Sequence, residues 1–151
     1  MKQDERTRAV HGAIARLQEL SELFQRRRAR LAGQAGLSEQ QWRVLEEISA
    51  EHFMPSLFAR NRESSPAAVS KIIRQLMDKK LISVSISQDD GRQRRYLLTA
   101  KGKRVIQRLR TLRQRAIEKV WMKLDASELQ KFDQFSLRII ESIESYSKRK
   151  E

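Results

Sequence analysis

From residue 5 to about 31, apolar side chains fall at Val10, Ile14, Leu17, Leu20, Phe24 and Leu31, mostly three or four positions apart. That spacing gathers them on one side of an α-helix. The opposite side ends in Arg26, Arg27, Arg28 and Arg30, and Gly33 and Gly36 mark a break. In the stretch LSEQQWRVLEEI, Ser38 is placed as an N-cap with Gln41 at the third helical position, the arrangement of a capping box. Leu37 before the cap and Trp42 after it make a hydrophobic staple. A short helix over roughly 38–50 follows, with Leu45 and Ile48 on its buried side.

The segment HFMPSLFARNRESSPAAVSKIIRQLMDKKL reads as two helices joined by a tight turn. Pro55 opens the first, which runs to about Arg62; Glu63, Ser64 and Ser65 make the turn. Ser65 caps the second helix, roughly 66–80, and Pro66 takes its first position, where a missing N–H costs nothing. Val69, Ile72, Ile73 and Leu76 form one buried stripe, while the other face carries Ala67, Ser70, Lys71 and Arg74. The period then changes to two. In LISVSIS, Ile82, Val84 and Ile86 alternate with serines, and RRYLLT returns with Tyr96 and Leu98 on one side, so the pair predicts a β-hairpin. Thr99 caps a long helix over roughly 100–123, rich in Lys and Arg. Asp125, with Glu128 completing a capping box, opens a last helix along Leu129, Phe132, Phe135, Ile139, Ile143 and Tyr146. The fold class is mostly α with a small β-hairpin. With no repeat and no linker, residues 1–151 read as a single domain.

Charge changes this picture. The 151 residues hold 32 Lys+Arg against 19 Asp+Glu, a formal net charge of +13. Such a chain is matched to a polyanion, nucleic acid first and an anionic membrane surface second. There is no cysteine, which excludes disulfides, thiol sensing and cysteine-based zinc sites. His11 and His52 lie far apart, so no metal or other cofactor is indicated. No P-loop, Gly-rich cofactor turn or His–carboxylate cluster points to an enzyme. No apolar run nears the ~20 residues of a membrane span, and the N-terminus lacks the apolar core of a signal peptide. A cytoplasmic protein is expected, with no membrane partner.

Two helices with a short turn, then a hairpin with a basic tip, is the layout of a winged helix. Ala67, Ala68, Ser70 and Lys71 give the second helix a slim, hydrogen-bonding face that fits the major groove. The free N–H groups near Ser65 suit a phosphate. The hairpin tip, SQDDGRQRRY, holds Arg92, Arg94 and Arg95 within four residues. Arginine there suits the DNA backbone or a narrow minor groove. Either feature alone is equally consistent with solvated surface charge; in this order they point to double-stranded DNA.

At this point the chain resembles the MarR-type winged-helix transcription regulators. The most specific match is the wing pattern, met here by Asp90, Arg92, Leu98, Thr99 and Gly102 in register. AVSKIIRQLMDKKLI resembles the family's recognition helix, and LSEQQWRVLEEI the helix before its helix-turn-helix. The resemblance implies a winged helix-turn-helix lobe over 38–99, flanked by dimerisation helices over 5–32 and 100–147, and hence a homodimer. It implies that Asp90 steadies the wing, that Arg92 contacts DNA, and that Ser65, Ala67, Ala68, Ser70, Lys71 and Arg74 face the major groove or phosphates. The expected function is a sequence-specific transcriptional regulator, a repressor on a pseudo-palindromic operator; the alternatives are a non-specific or architectural nucleic-acid binder and a protein-binding winged helix. The family also implies a small phenolic or lipophilic effector that relieves binding. Trp42, Phe53 and Phe58 are candidate lining for it, against the reading that they are ordinary core. The turn departs from the family pattern, with Arg62 and Glu63 in place of an apolar residue and Gly, which raises Arg60 or Arg62 as a phosphate ligand.

Overall fold

The computed structural model describes residues 3–50, 53–62, 64–86 and 93–149. Their elements, in chain order, are α1 (Gln3–Gln34), α2 (Glu39–Ser49), α3 (Pro55–Asn61), α4 (Pro66–Asp78), β1 (Ile82–Ile86), β2 (Arg94–Leu98), α5 (Ala100–Lys119) and α6 (Ala126–Lys148). A single 3-10 turn, Trp121–Lys123, lies between α5 and α6. The mostly helical fold with one antiparallel hairpin is the fold class the periodicity predicts. By packing, the chain divides into Met1–Thr111 and Leu112–Glu151.

The core of the first unit runs from the end of α1 through α2, α3 and α4 into the first half of α5. Val44, Leu45, Val69, Leu76 and Leu109 are its most deeply buried large side chains. All four predicted stripe residues of α4, Val69, Ile72, Ile73 and Leu76, lie in it. The α1 helix extends past its expected end, with Gly33 inside it and Gly36 making the break. Gly36 adopts φ 72°, which glycine reaches without a Cβ penalty. The N–H of Leu37 donates to the Ala32 carbonyl at 2.9 Å and that of Gly36 to Gly33 at 3.0 Å, a Schellman closure. Leu37 therefore ends α1 and is buried with Trp42 in the core at the start of α2. The Ser38–Gln41 capping box forms in both directions, each hydrogen bond at 3.1 Å. At α6 only the Asp125 half of the expected box is made, Asp125 accepting from the Glu128 N–H at 3.0 Å.

The C-terminus of α4 repeats the Schellman pattern without a glycine. Lys80 takes φ 59°, its N–H donating to Met77 at 2.8 Å and that of Leu81 to Leu76 at 3.0 Å. The turn places Leu81 and Ile82 in the core and starts the hairpin. In that hairpin Ile82 pairs with Leu98, Val84 with Tyr96 and Ile86 with Arg94.

In the second unit the described residues bury little. No residue of α6 is buried, and Phe132, Phe135, Ile140 and Ile143 stand more than half exposed. In the first unit α1 likewise leaves Val10, Ile14, Leu17 and Phe24 exposed. Among the described residues no helix is long and apolar enough to cross a membrane.

Candidate nucleic-acid interface

Helix α4 is the centre of the site, and its local sequence explains its pose. Ser65 sits in extended backbone as N-cap, and its Oγ accepts from the Ala68 N–H at 3.1 Å. Pro66 supplies the first helical φ. With the apolar stripe buried, Ser65, Ala67, Ala68, Ser70, Lys71 and Arg74 are all exposed. Short side chains crowd the N-terminal turn and long cations follow one turn later. No described carboxylate pairs with Lys71 or Arg74. The face is thus narrow, positively charged and held by a rigid buried side, as major-groove entry requires.

The hairpin changes the reading of the arginine cluster. Side chains alternate across a strand. Arg94, Tyr96 and Leu98 share a face with Ile82, Val84 and Ile86, while Arg95 and Leu97 share the other with Ser83 and Ser85. Arg94 and Arg95, both exposed, therefore point to opposite sides of the wing. Asp90 and Arg92 lie outside the described residues. Arg94 and Arg95 straddle the hairpin rather than forming one patch.

The rest of the wing motif has a packing role. The Thr99 N–H donates to the Leu81 carbonyl at 3.0 Å. Its Oγ1 donates to the Lys80 carbonyl at 2.7 Å and accepts from the Gly102 N–H at 3.0 Å. A Cβ on Gly102 would fall 2.1 Å from the Leu81 oxygen. Thr99 and Gly102 thus clamp the start of α5 onto the turn between α4 and β1, fixing the root of the hairpin against α4.

Trp42, a candidate lining residue, is 5% exposed in the core; its Nε1 donates to Glu46 at 3.3 Å and the Arg28 guanidinium lies 5.9 Å from its ring centre. The Phe53 ring meets Phe58 at 5.7 Å and Tyr96 at 5.8 Å, both edge-to-face, joining α3 to the wing. Arg62, raised with Arg60 as a phosphate ligand, lies 3.7 Å from a Glu47 oxygen and over the Phe58 ring, and both arginines are exposed. Arg28 pairs with Glu39 at 3.4 Å.

Sequence reasoning missed a polar hub. Gln41, the buried polar residue of the core, donates from Nε2 to Gln75 at 2.9 Å and accepts from Lys79 Nζ at 3.0 Å. Its place in the capping box was legible; its partners are 34 and 38 residues away and left no local signal.

No protein-family model matches the chain, and no curated protein matches its sequence. Solved structures do match. A MarR family transcription regulator, SP03579, superposes with a TM-score of 0.86 at 17% identity, covering 96% of this chain and 97% of that one. Staphylococcus aureus MarR in complex with salicylate and kanamycin gives 0.73 at 16% identity, over 93% and 96%. The S. aureus MepR–DNA complex gives 0.69 at 16% identity, over 84% and 93%. These likenesses establish the fold, the winged-helix fold of MarR-type regulators.

Proposed function

We propose that this chain, which carries the MarR-type winged-helix fold, is a sequence-specific DNA-binding transcriptional regulator, acting as a homodimer that represses from a pseudo-palindromic operator. The observation that carries the reading is the exposed face of α4, slim at its capped N-terminus, cationic beyond it and unpaired with any described acid. Residues 38–99 serve as the DNA-reading lobe within one functional unit in the cytoplasm. Ser65, Ala67, Ala68 and Ser70 approach base edges and phosphates at the helix N-terminus. Lys71 and Arg74 add charge to the same face, Arg94 and Arg95 grip the backbone from the two sides of the wing, Arg92 adds a further DNA contact, and Asp90 steadies the wing. Base contacts specify and phosphate contacts position.

The homodimer draws support from the apolar faces left open on α1 and, separately, on α6. Contiguous exposed apolar faces of this kind mark interaction surfaces. A two-fold dimer presents one α4 to each half-site, about one helical turn apart. A small-molecule effector completes the proposal, supported by the salicylate bound to S. aureus MarR; the Phe53–Phe58–Tyr96 cluster, at the root of the wing, is where such a ligand would move α3 and the hairpin together.

The test is binding to fragments upstream of the protein's own gene and its neighbours, against random duplex at near-physiological salt. Saturable binding to one fragment at least ~10³-fold tighter than random is expected. The affinity should fall steeply with salt, with a slope of about −0.9 per phosphate neutralised. Equal affinity for all duplexes would replace this reading with an architectural one.

A further inference from the structure

We propose that Lys79 and Gln41 form a bolt that sets the spacing at which the two recognition helices meet DNA. The inference rests on the dimeric operator-binding reading above. Lys79 is the C-cap of α4. Its Nζ donates to the Gly36 carbonyl at 2.5 Å and to Gln41 Oε1 at 3.0 Å. Gly36 is the left-handed residue closing α1, so its carbonyl direction is set by that turn. Gln41 Oε1 also accepts from the Ser38 N–H, and its Nε2 holds Gln75 on α4. One lysine and one buried amide therefore join the end of α1, the start of α2 and the last turn of α4.

The consequence follows from the kind of interaction. The α4 stripe packs through apolar contacts, which are non-directional and tolerate small slides. Charge-assisted hydrogen bonds are short and directional, and roughly twice as strong as neutral ones. Among the described residues Lys79 supplies the hydrogen bond that runs from α4 to the α1 turn. The exposed stripe of α1 belongs to the surface a second copy would cover. A recognition helix bolted to α1 is held in register with the dimer; one without the bolt keeps only the apolar packing it shares with the end of α1. Lys79 is a positioning residue, and its contribution is to discrimination between half-site spacings rather than to attraction.

The experiment uses an operator selected in vitro by the wild-type protein, remade with its spacer lengthened or shortened by one base pair. Lys79→Met keeps the aliphatic stem and removes both hydrogen bonds; Lys79→Arg keeps a donor. Lys79→Met is expected to reduce the preference for the natural spacer about tenfold, the equivalent of about one charge-assisted hydrogen bond. Affinity for random duplex and the salt slope should stay as in wild type, and Lys79→Arg should restore the preference. Undiminished spacer preference in Lys79→Met overturns the bolt while leaving operator binding intact. A salt slope shallower by about 0.9 also overturns it, because Lys79 would then be a phosphate ligand. Loss of preference that Lys79→Arg does not restore overturns the hydrogen-bond assignment. A wild-type selection yielding no paired half-sites overturns the operator reading and the bolt with it.

Discussion

Replacing Gly102 with alanine adds a single methyl group at the root of the wing. The new Cβ lies 2.1 Å from the Leu81 carbonyl oxygen and 3.1 Å from its carbon. Ordinary contact begins near 3.4 Å, so one side must yield by about 1.3 Å. Neither side yields easily. The Leu81 carbonyl accepts from the Thr99 N–H, and the Leu81 N–H closes the Schellman turn of α4. The Gly102 N–H is held by Thr99 Oγ1. A clash with fixed backbone belongs at the upper end of the ~1–3 kcal/mol that overpacking costs. Alanine's helix preference over glycine returns at most ~1 kcal/mol. The net expectation is a loss of about 2 kcal/mol, or about 4–8 °C in Tm for a domain of this size. Gly33→Ala is the matched control, since its added Cβ meets nothing within 4 Å inside α1. It should gain about 0.5–1 kcal/mol. Urea unfolding at fixed protein concentration compares the three proteins, because dimer stability depends on concentration. A Gly102→Ala protein as stable as Gly33→Ala would refute the close approach of α5 to Leu81.

Lys80→Gly should raise the urea midpoint, because the left-handed backbone at φ 59° costs a side-chain-bearing residue about 1 kcal/mol that glycine avoids; a lowered midpoint would show that the lysine side chain holds the turn. Ser65→Ala removes the cap of α4 and should cost about 1 kcal/mol of stability. It should also weaken DNA binding, read by fluorescence anisotropy, and unchanged affinity would remove the helix N-terminus from the interface. Arg95→Ala and Arg94→Ala, on opposite sides of the wing, should each make the salt slope shallower by about 0.9 if both meet phosphates; a change in only one would assign the DNA side of the hairpin. Arg110→Ala breaks an exposed pair with Glu46, 3.0 Å apart, and should cost under ~1 kcal/mol by thermal melting.

Much of this protein is local and therefore written in its sequence. Helix positions follow from the three-and-four spacing of apolar residues, the starts of α2 and α4 from Ser38 and Ser65, and the hairpin from the change to period two. The face of α4 follows too: once Val69, Ile72, Ile73 and Leu76 are buried, geometry exposes Ala67, Ser70, Lys71 and Arg74. Tertiary structure decided the rest, because it depends on contacts between residues far apart in the chain. Gln41 reads as a cap residue until Gln75 and Lys79 reach it. Nothing in the spacing of Arg28 or Arg62 announces Glu39, Trp42, Glu47 or Phe58, which come alongside only in the fold. Thr99 and Gly102 read as a motif, but only the passage of α5 across Leu81 shows why a methyl group is excluded there. Periodicity and capping residues dictate which elements form and which faces they bury; packing dictates which polar groups hold them in register, since a hydrogen bond between distant residues leaves no periodicity to read.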